Sequence, residues 1–178
     1  MDRLWSPWRA QHVETTAPAG TAGETLFARL AADGRDEEHF ILWRGAHVYV
    51  VLNLYPYNNG HLLITPYRPV ADYDALTPEE QAELFGTLHH ALGWLRVALR
   101  PDGFNVGMNL GTAGGAGVPD HLHLHVVPRW SADTNFMPVT GGTKVLPESL
   151  ADTYRRLRAV IEGAAPEAPA AANSAPQP

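Results

Sequence analysis

His121-Leu122-His123-Leu124-His125-Val126-Val127-Pro128-Arg129 is the stretch from which the rest of the chain can be read. Successive side chains on a β-strand point to opposite faces, so Leu122, Leu124 and Val126 are expected to enter a core. His121, His123 and His125 then project together from the other face. Imidazoles are costly to desolvate and need hydrogen-bond partners, so three on one face point to chemistry rather than packing. The sequence therefore predicts a strand over 122–127 with a row of histidines on its open side.

Two chemistries suit such a row. Alternate histidines on a strand can donate ring nitrogens to one zinc ion, although no upstream Asp or Glu is identifiable to orient them. Alternatively, one neutral imidazole attacks phosphorus while its neighbours orient it or carry protons near neutral pH. The segment just before the row favours phosphate. Gly111, Gly114, Gly115 and Gly117 make a loop whose backbone N–H groups, from Gly114 to Val118, can converge on an anion.

Working upstream, Phe104 to Leu110 reads as a strand. Thr77-Pro78-Glu79-Glu80 is a helix start, with a capping threonine, proline at the first helical position and an acid that can return to the cap. That helix is expected to run to about Arg100, with Leu84, Phe85, Leu88, Leu92, Leu95 and Leu99 on its core face. Phe40–Trp43 and His47–Leu52 predict a hairpin across Arg44-Gly45-Ala46, and His61–Thr65 a further strand stopped by Pro66. Leu26, Phe27 and Leu30 have the spacing of a short helix ending near Gly34. Trp5 and Trp8, around Pro7, are expected to pack on the main body or on a partner subunit.

Beyond the histidine row, Ser149 to Ile161 has a helical pattern, and Gly163 to Pro178 is an Ala/Pro-rich tail unable to bury enough to stay ordered. We read a single domain over 1–162, its core at about 24–138, followed by the tail at 163–178. The chain has 178 residues, no cysteine and a formal net charge of -6. Disulfides and thiolate metal sites are excluded, and no global basic field exists to attract a nucleic acid. Neither a signal-peptide pattern nor a membrane-length apolar run is present in the sequence, so a cytoplasmic location without membrane partners is the expectation. The remaining histidines, His12, His39, His47, His89 and His90, read as surface residues.

Gly117 to Arg129 resembles the signature of the histidine-triad family, in which three histidines alternate with apolar residues. Val51-Leu52-Asn53 and Asn58-Asn59-Gly60-His61-Leu62-Leu63-Ile64 are similar to the earlier nucleotide-binding segment of that family, which carries a fourth histidine. Leu4-Trp5-Ser6-Pro7-Trp8-Arg9 and the run from Arg129-Trp130 to Asn135-Phe136 resemble the branch of bacterial diadenosine-polyphosphate phosphorylases and hydrolases. The resemblance implies an α+β fold, a mainly antiparallel sheet of about five strands with flanking helices, in a homodimer.

It also implies roles. His123 would be the nucleophile that forms a nucleotidyl-histidine, His125 would contact the α-phosphate, and His121 would support the nucleophile and its loop. His61 would stand beside the nucleophile, Asn53 would hold the ribose hydroxyls, and Asn109 would contact phosphate or leaving group. Asparagines at strand ends also commonly satisfy their own backbone in turns, so both readings stand for Asn53 and Asn109. Where other branches have a Gln or Ser side chain, Gly115-Ala116-Gly117-Val118 offers none. Contacts to the leaving group would fall to backbone N–H groups such as those of Gly117 and Val118, to Asn109 or to Thr112.

The expected activity is cleavage of dinucleoside polyphosphates, above all diadenosine tetraphosphate, with phosphate or water as acceptor. No protein-bound metal or cofactor is expected; Mg²⁺ would arrive on the substrate polyphosphate. The competing readings are nucleoside phosphoramidate hydrolysis in the same pocket, a zinc hydrolase built on the three histidines, and a non-catalytic nucleotide-binding or dimeric module.

Overall fold

A computed structural model describes residues 25–131, 133–134, 141 and 145–163. The expectations for the tryptophan-containing opening, His12, Asn135-Phe136 and the 164–178 tail lie outside these residues.

The elements run α1 (Leu26–Asp33), β1 (Ile41–Arg44), β2 (Val48–Leu52), β3 (Leu62–Pro66), a 3-10 turn (Tyr73–Ala75), α2 (Pro78–Leu99), β4 (Gly103–Met108), β5 (Leu124–Arg129) and α3 (Leu150–Ile161). The five strands form one sheet in the order β1-β2-β3-β5-β4, and every neighbouring pair is antiparallel. This is the expected α+β arrangement.

Strand alternation divides the core into two layers. Val48, Val50, Leu52, Leu62, Ile64, Leu124 and Val126 join Leu84, Ala91 and Leu95 of α2 and Tyr154 and Leu157 of α3 in the larger cluster. Tyr49, Val51 and Leu63 point the other way and pack with Phe27 of α1 and with Ile41. Because helices cover both faces at its centre, β2 is buried at all five positions. Fully burying a side chain of this size contributes roughly 1.5–3 kcal/mol. The face of β5 opposite Leu124 and Val126 is left to His123, His125 and Val127.

The caps follow the sequence. Thr77 and Glu80 form a reciprocal capping box at the start of α2, Ser149 caps α3, and Gly34 ends α1 at φ 72°. Several expectations need correcting. Phe85 is 49% exposed, lying edge-on to Tyr73, because the buried stripe of α2 runs through Leu84, Thr87, Ala91, Leu95 and Ala98. Pro66 does not stop β3 but is its last paired residue, opposite Val48. His39 is not a lone surface histidine, since it pairs with Asp33 at 2.5 Å.

Histidine placement changes as well. Regular pairing of β5 begins at Leu124, opposite Ile64, so His121 and His123 precede the strand rather than lie in it. The ladder gives way here because Pro66 has no N–H to donate. The Leu122 N–H instead donates to the Val70 carbonyl at 2.6 Å, and the Thr65 hydroxyl donates to the Leu122 carbonyl at 2.8 Å.

Candidate active site

The three signature histidines and His61 come together on the face of the sheet that carries α1. His61 and His121 are fully buried and His123 is 6% exposed, while His125 is half-buried. Ring centroids are 4.8 Å apart for His123 and His125 and 5.1 Å for His61 and His125.

Their partners fix which nitrogen carries each proton. Nδ1 of His123 donates to the carbonyl oxygen of its neighbour His121 at 2.8 Å, which leaves a lone pair on Nε2. Nε2 of His121 donates to the Pro66 carbonyl at 2.8 Å, so its Nδ1 accepts from the Thr25 hydroxyl. Thr25 also caps α1, accepting from the Ala28 N–H at 3.3 Å. One hydroxyl therefore ties the first helix to the histidine row. With both ring nitrogens committed, His121 offers none to an ion in this arrangement, and no group of three or more His, Cys, Asp or Glu among the described residues is placed to hold a metal.

His61 works in the opposite sense. Its Nδ1 accepts the Tyr57 backbone N–H at 3.1 Å and the Asn53 side-chain amide at 3.2 Å. The ring proton is thus on Nε2, which donates to Nδ1 of His125 at 2.9 Å. In turn, the proton of His125 belongs on Nε2, directed away from His61. The Tyr57 ring stacks on His125 at 5.9 Å and 13° and lies 4.8 Å from His61.

Burial pulls His123 below the ordinary imidazole value of 6.5, against the opposing effect of its bond to His121. His121 is lowered too, first by burial and then, more weakly, by His123, with the Pro66 bond opposing. Phe27 supplies much of this apolar cover, its ring 5.1 Å from His123 and 5.5 Å from His121. A buried imidazole with a free Nε2 lone pair that stays unprotonated near neutral pH is a competent nucleophile.

The glycine-rich loop is narrower in its use than expected. The N–H groups of Gly114, Gly115 and Ala116 bond back to the carbonyls of Gly111, Thr112 and Gly111, at 3.2, 3.0 and 3.3 Å. Tight turns consume those donors. Among the described residues, the N–H groups of Gly117 and Val118, at the histidine end of the loop, enter no such backbone bond. The Thr112 side chain is exposed on the loop.

Asn109 is half-buried. Its amide nitrogen donates to the Gly115 carbonyl at 3.4 Å and lies 3.5 Å from Nε2 of His125. Asn53 makes a local turn, accepting the Tyr55 N–H at 3.0 Å, while its amide faces His61. Among the described residues Asn53 therefore serves the site at least through His61. Sequence reasoning overlooked Thr25, Tyr57 and Phe27 as site residues. Only Thr25 left a signal, as a threonine directly before an amphipathic run.

Beyond His125 the face opens into a cleft of about 360 Å³, lined among others by Tyr57, Asn105, Gly107, Asn109, Arg129 and Asp133. Asp133 grips Arg129 through Nε at 2.6 Å and Nη2 at 3.0 Å and accepts from the Asn58 amide at 2.7 Å. That grip holds the Asp133 carboxyl well below the usual carboxylate range.

The HIT domain profile matches residues 35–132, which contain all four clustered histidines. The chain belongs to the HIT family. This HIT protein is 44% identical over 161 residues to a Mycobacterium tuberculosis protein named AP-4-A phosphorylase, covering 88% of the chain and 83% of that relative. It is 33% identical over 91 residues to the Bis(5'-adenosyl)-triphosphatase of Saccharomyces cerevisiae, covering 51% of the chain and 44% of the relative. Among solved structures, a zinc-bound histidine triad family protein from Mycobacterium smegmatis superposes with a TM-score of 0.61. At 24% identity it covers 77% of the chain and 91% of its own, a likeness that speaks to the fold.

Proposed function

We propose that this HIT protein cleaves diadenosine tetraphosphate by phosphorolysis through a covalent nucleotidyl-His123. The observation that carries the reading is the bond from Nδ1 of His123 to the His121 carbonyl, which leaves Nε2 as the attacking nitrogen. The similarity to AP-4-A phosphorylase supports the substrate and favours phosphate over water as acceptor.

In the first displacement Nε2 of His123 bonds to an α-phosphorus and the bond to the bridging oxygen breaks, releasing ATP. His125, with its proton on Nε2, donates to that leaving oxygen, and the Gly117 and Val118 N–H groups bear charge on the equatorial oxygens. In the second, inorganic phosphate attacks the same phosphorus, the bond to Nε2 breaks, and ADP leaves. Asn53 holds the ribose hydroxyls, Asn109 and Thr112 serve the phosphates, and Mg²⁺ enters bound to the polyphosphate rather than through a protein cage.

We take residues 1–162 as one domain that acts in the cytoplasm as a homodimer, without membrane or nucleic-acid partners. Two observations support pairing through β4: it is an edge strand, and Val106 on it is 44% exposed. The test is incubation with diadenosine tetraphosphate, with and without inorganic phosphate, followed by separation of products. ADP plus ATP only with phosphate supports the proposal; AMP plus ATP without phosphate replaces it with a hydrolase, and no cleavage removes it.

A further inference from the structure

His123, which captures the nucleotidyl group, does not itself line the cleft beyond His125. In-line displacement sends the leaving oxygen away from the attacking nitrogen. From His123 into β5 the order of residues on this face is His123, His125, Val127 and Arg129, and the cleft is lined by the last three but not by His123. Whatever departs from phosphorus past His125 therefore enters the cleft.

The floor of the cleft is open at Gly107. Gly107 is the Cα partner of His125, and a Cβ built there would meet nothing within 4 Å. Alternation puts Asn105 and Gly107 of β4 on the same face as His125, Val127 and Arg129 of β5. At the far end, Nη1 of Arg129 donates to the amide oxygen of Asn105 at 2.6 Å. The amide N–H pair of Asn105 is the part left to face a ligand, beside an Arg129 guanidinium that is already paired with the Asp133 carboxylate. The cleft volume falls at the lower end of the range for small-molecule sites, roughly 300–1,000 Å³.

We propose that this cleft receives the departing nucleoside polyphosphate of a two-headed substrate, and that the missing side chain at Gly107 is the specificity determinant admitting it. This rests on the dinucleotide reading above. A side chain at position 107 would exclude a bulky leaving group while leaving the captured nucleotide in place, so the cleft separates two-headed substrates from those with small leaving groups.

The test uses calorimetric binding to full-length His123→Asn protein, which does not turn over, with AMP and diadenosine tetraphosphate as the two probes. Gly107→Ala and Gly107→Leu are added in turn, with thermal melting to confirm folding. The expected result is a graded loss of dinucleotide affinity, reaching at least about tenfold for leucine, while AMP affinity changes less than about threefold. Equal loss for both probes, or unchanged dinucleotide binding with leucine in place, overturns the proposal. Failure of the wild-type protein to cleave the dinucleotide would instead count against the function proposed above, since the binding comparison does not depend on turnover.

Discussion

Tyr57 and His61 are joined by a backbone N–H donated to Nδ1 across 3.1 Å. That bond sets the direction of a relay, because it forces the His61 proton onto Nε2, from there onto the His61 to His125 bond, and so presents a proton at Nε2 of His125. The order is fixed by a main-chain group, which cannot accept.

His61→Leu removes the donor to Nδ1 of His125 and frees that ring to adopt the other tautomer. One oriented hydrogen bond to a charged group is worth about 1.5–3 kcal/mol. The expected fall in kcat is therefore roughly ten- to a hundred-fold, read in steady-state cleavage with a folding check. An unchanged kcat would show that the relay plays no part in leaving-group departure.

For His123→Ala the expectation is far larger, a loss of at least about a thousand-fold in kcat, because no other group in the row offers a comparable lone pair. Acid-quenched wild-type protein analysed by mass spectrometry should carry a nucleotidyl adduct on His123. Full turnover by His123→Ala would falsify the covalent scheme.

Burial depresses His123, so the neutral, reactive form persists as pH drops through the ordinary imidazole value of 6.5. The profile of kcat/KM is expected to stay level through that pH and to fall only in more acidic solution. Phe27→Ala opens the cover over both rings and should move the acidic limb toward 6.5, measured below the variant's own melting temperature. An acidic limb already centred at or above 6.5 in the wild type contradicts this.

The same depression has a consequence for stability. The unfolded chain takes up protons on His121 and His123 from about pH 6.5 downward, whereas the folded chain resists until its lower values are reached. More protons bind the unfolded state in that window, so stability is full above it and is lost as pH falls through it. Urea midpoints measured at several pH values from 7 to 5 should decline, and should decline less for a folded His121→Gln variant.

Thr25→Val keeps the shape but removes the hydroxyl that caps α1 and donates to His121. The cost of a lost cap is typically about 1 kcal/mol, with a further penalty for leaving a buried ring nitrogen unpaired. Thr25→Ser should restore most of it. Gly60→Ala is expected to be worse: Gly60 has φ 73°, and a Cβ there would meet Leu99 Cδ1 at 2.3 Å. Left-handed backbone alone costs an L-residue about 1–2 kcal/mol; thermal melting and turnover together check whether His61 is displaced as well.

Much of this architecture was legible because local signals and the final environment agree. Thr77-Pro78-Glu79-Glu80 marks a helix start by groups that lie within one turn of each other, and the His-Leu alternation marks which face of β5 meets the core. Boundaries were less readable. Pro66 signals that the ladder breaks, but not that Leu122 will bond to Val70 instead, and Phe85 looks apolar enough for a core that in fact passes through Thr87 and Ala91.

What the sequence by itself determined was the set of groups: three histidines on one face, a fourth after an Asn-Gly turn, and a glycine-rich loop beside them. Periodicity and turn chemistry are properties of neighbouring residues, and they survive without knowledge of the fold. Only the tertiary structure decided how those groups are wired. Thr25 reaches His121 across 96 positions, His61 reaches His125 across 64, and Gly107 lies opposite His125 only through strand pairing. Proton positions depend on such distant partners, and burial depends on what packs above each ring. The nucleophilic nitrogen, its lowered proton affinity and the open cleft beyond it are therefore products of the folded chain.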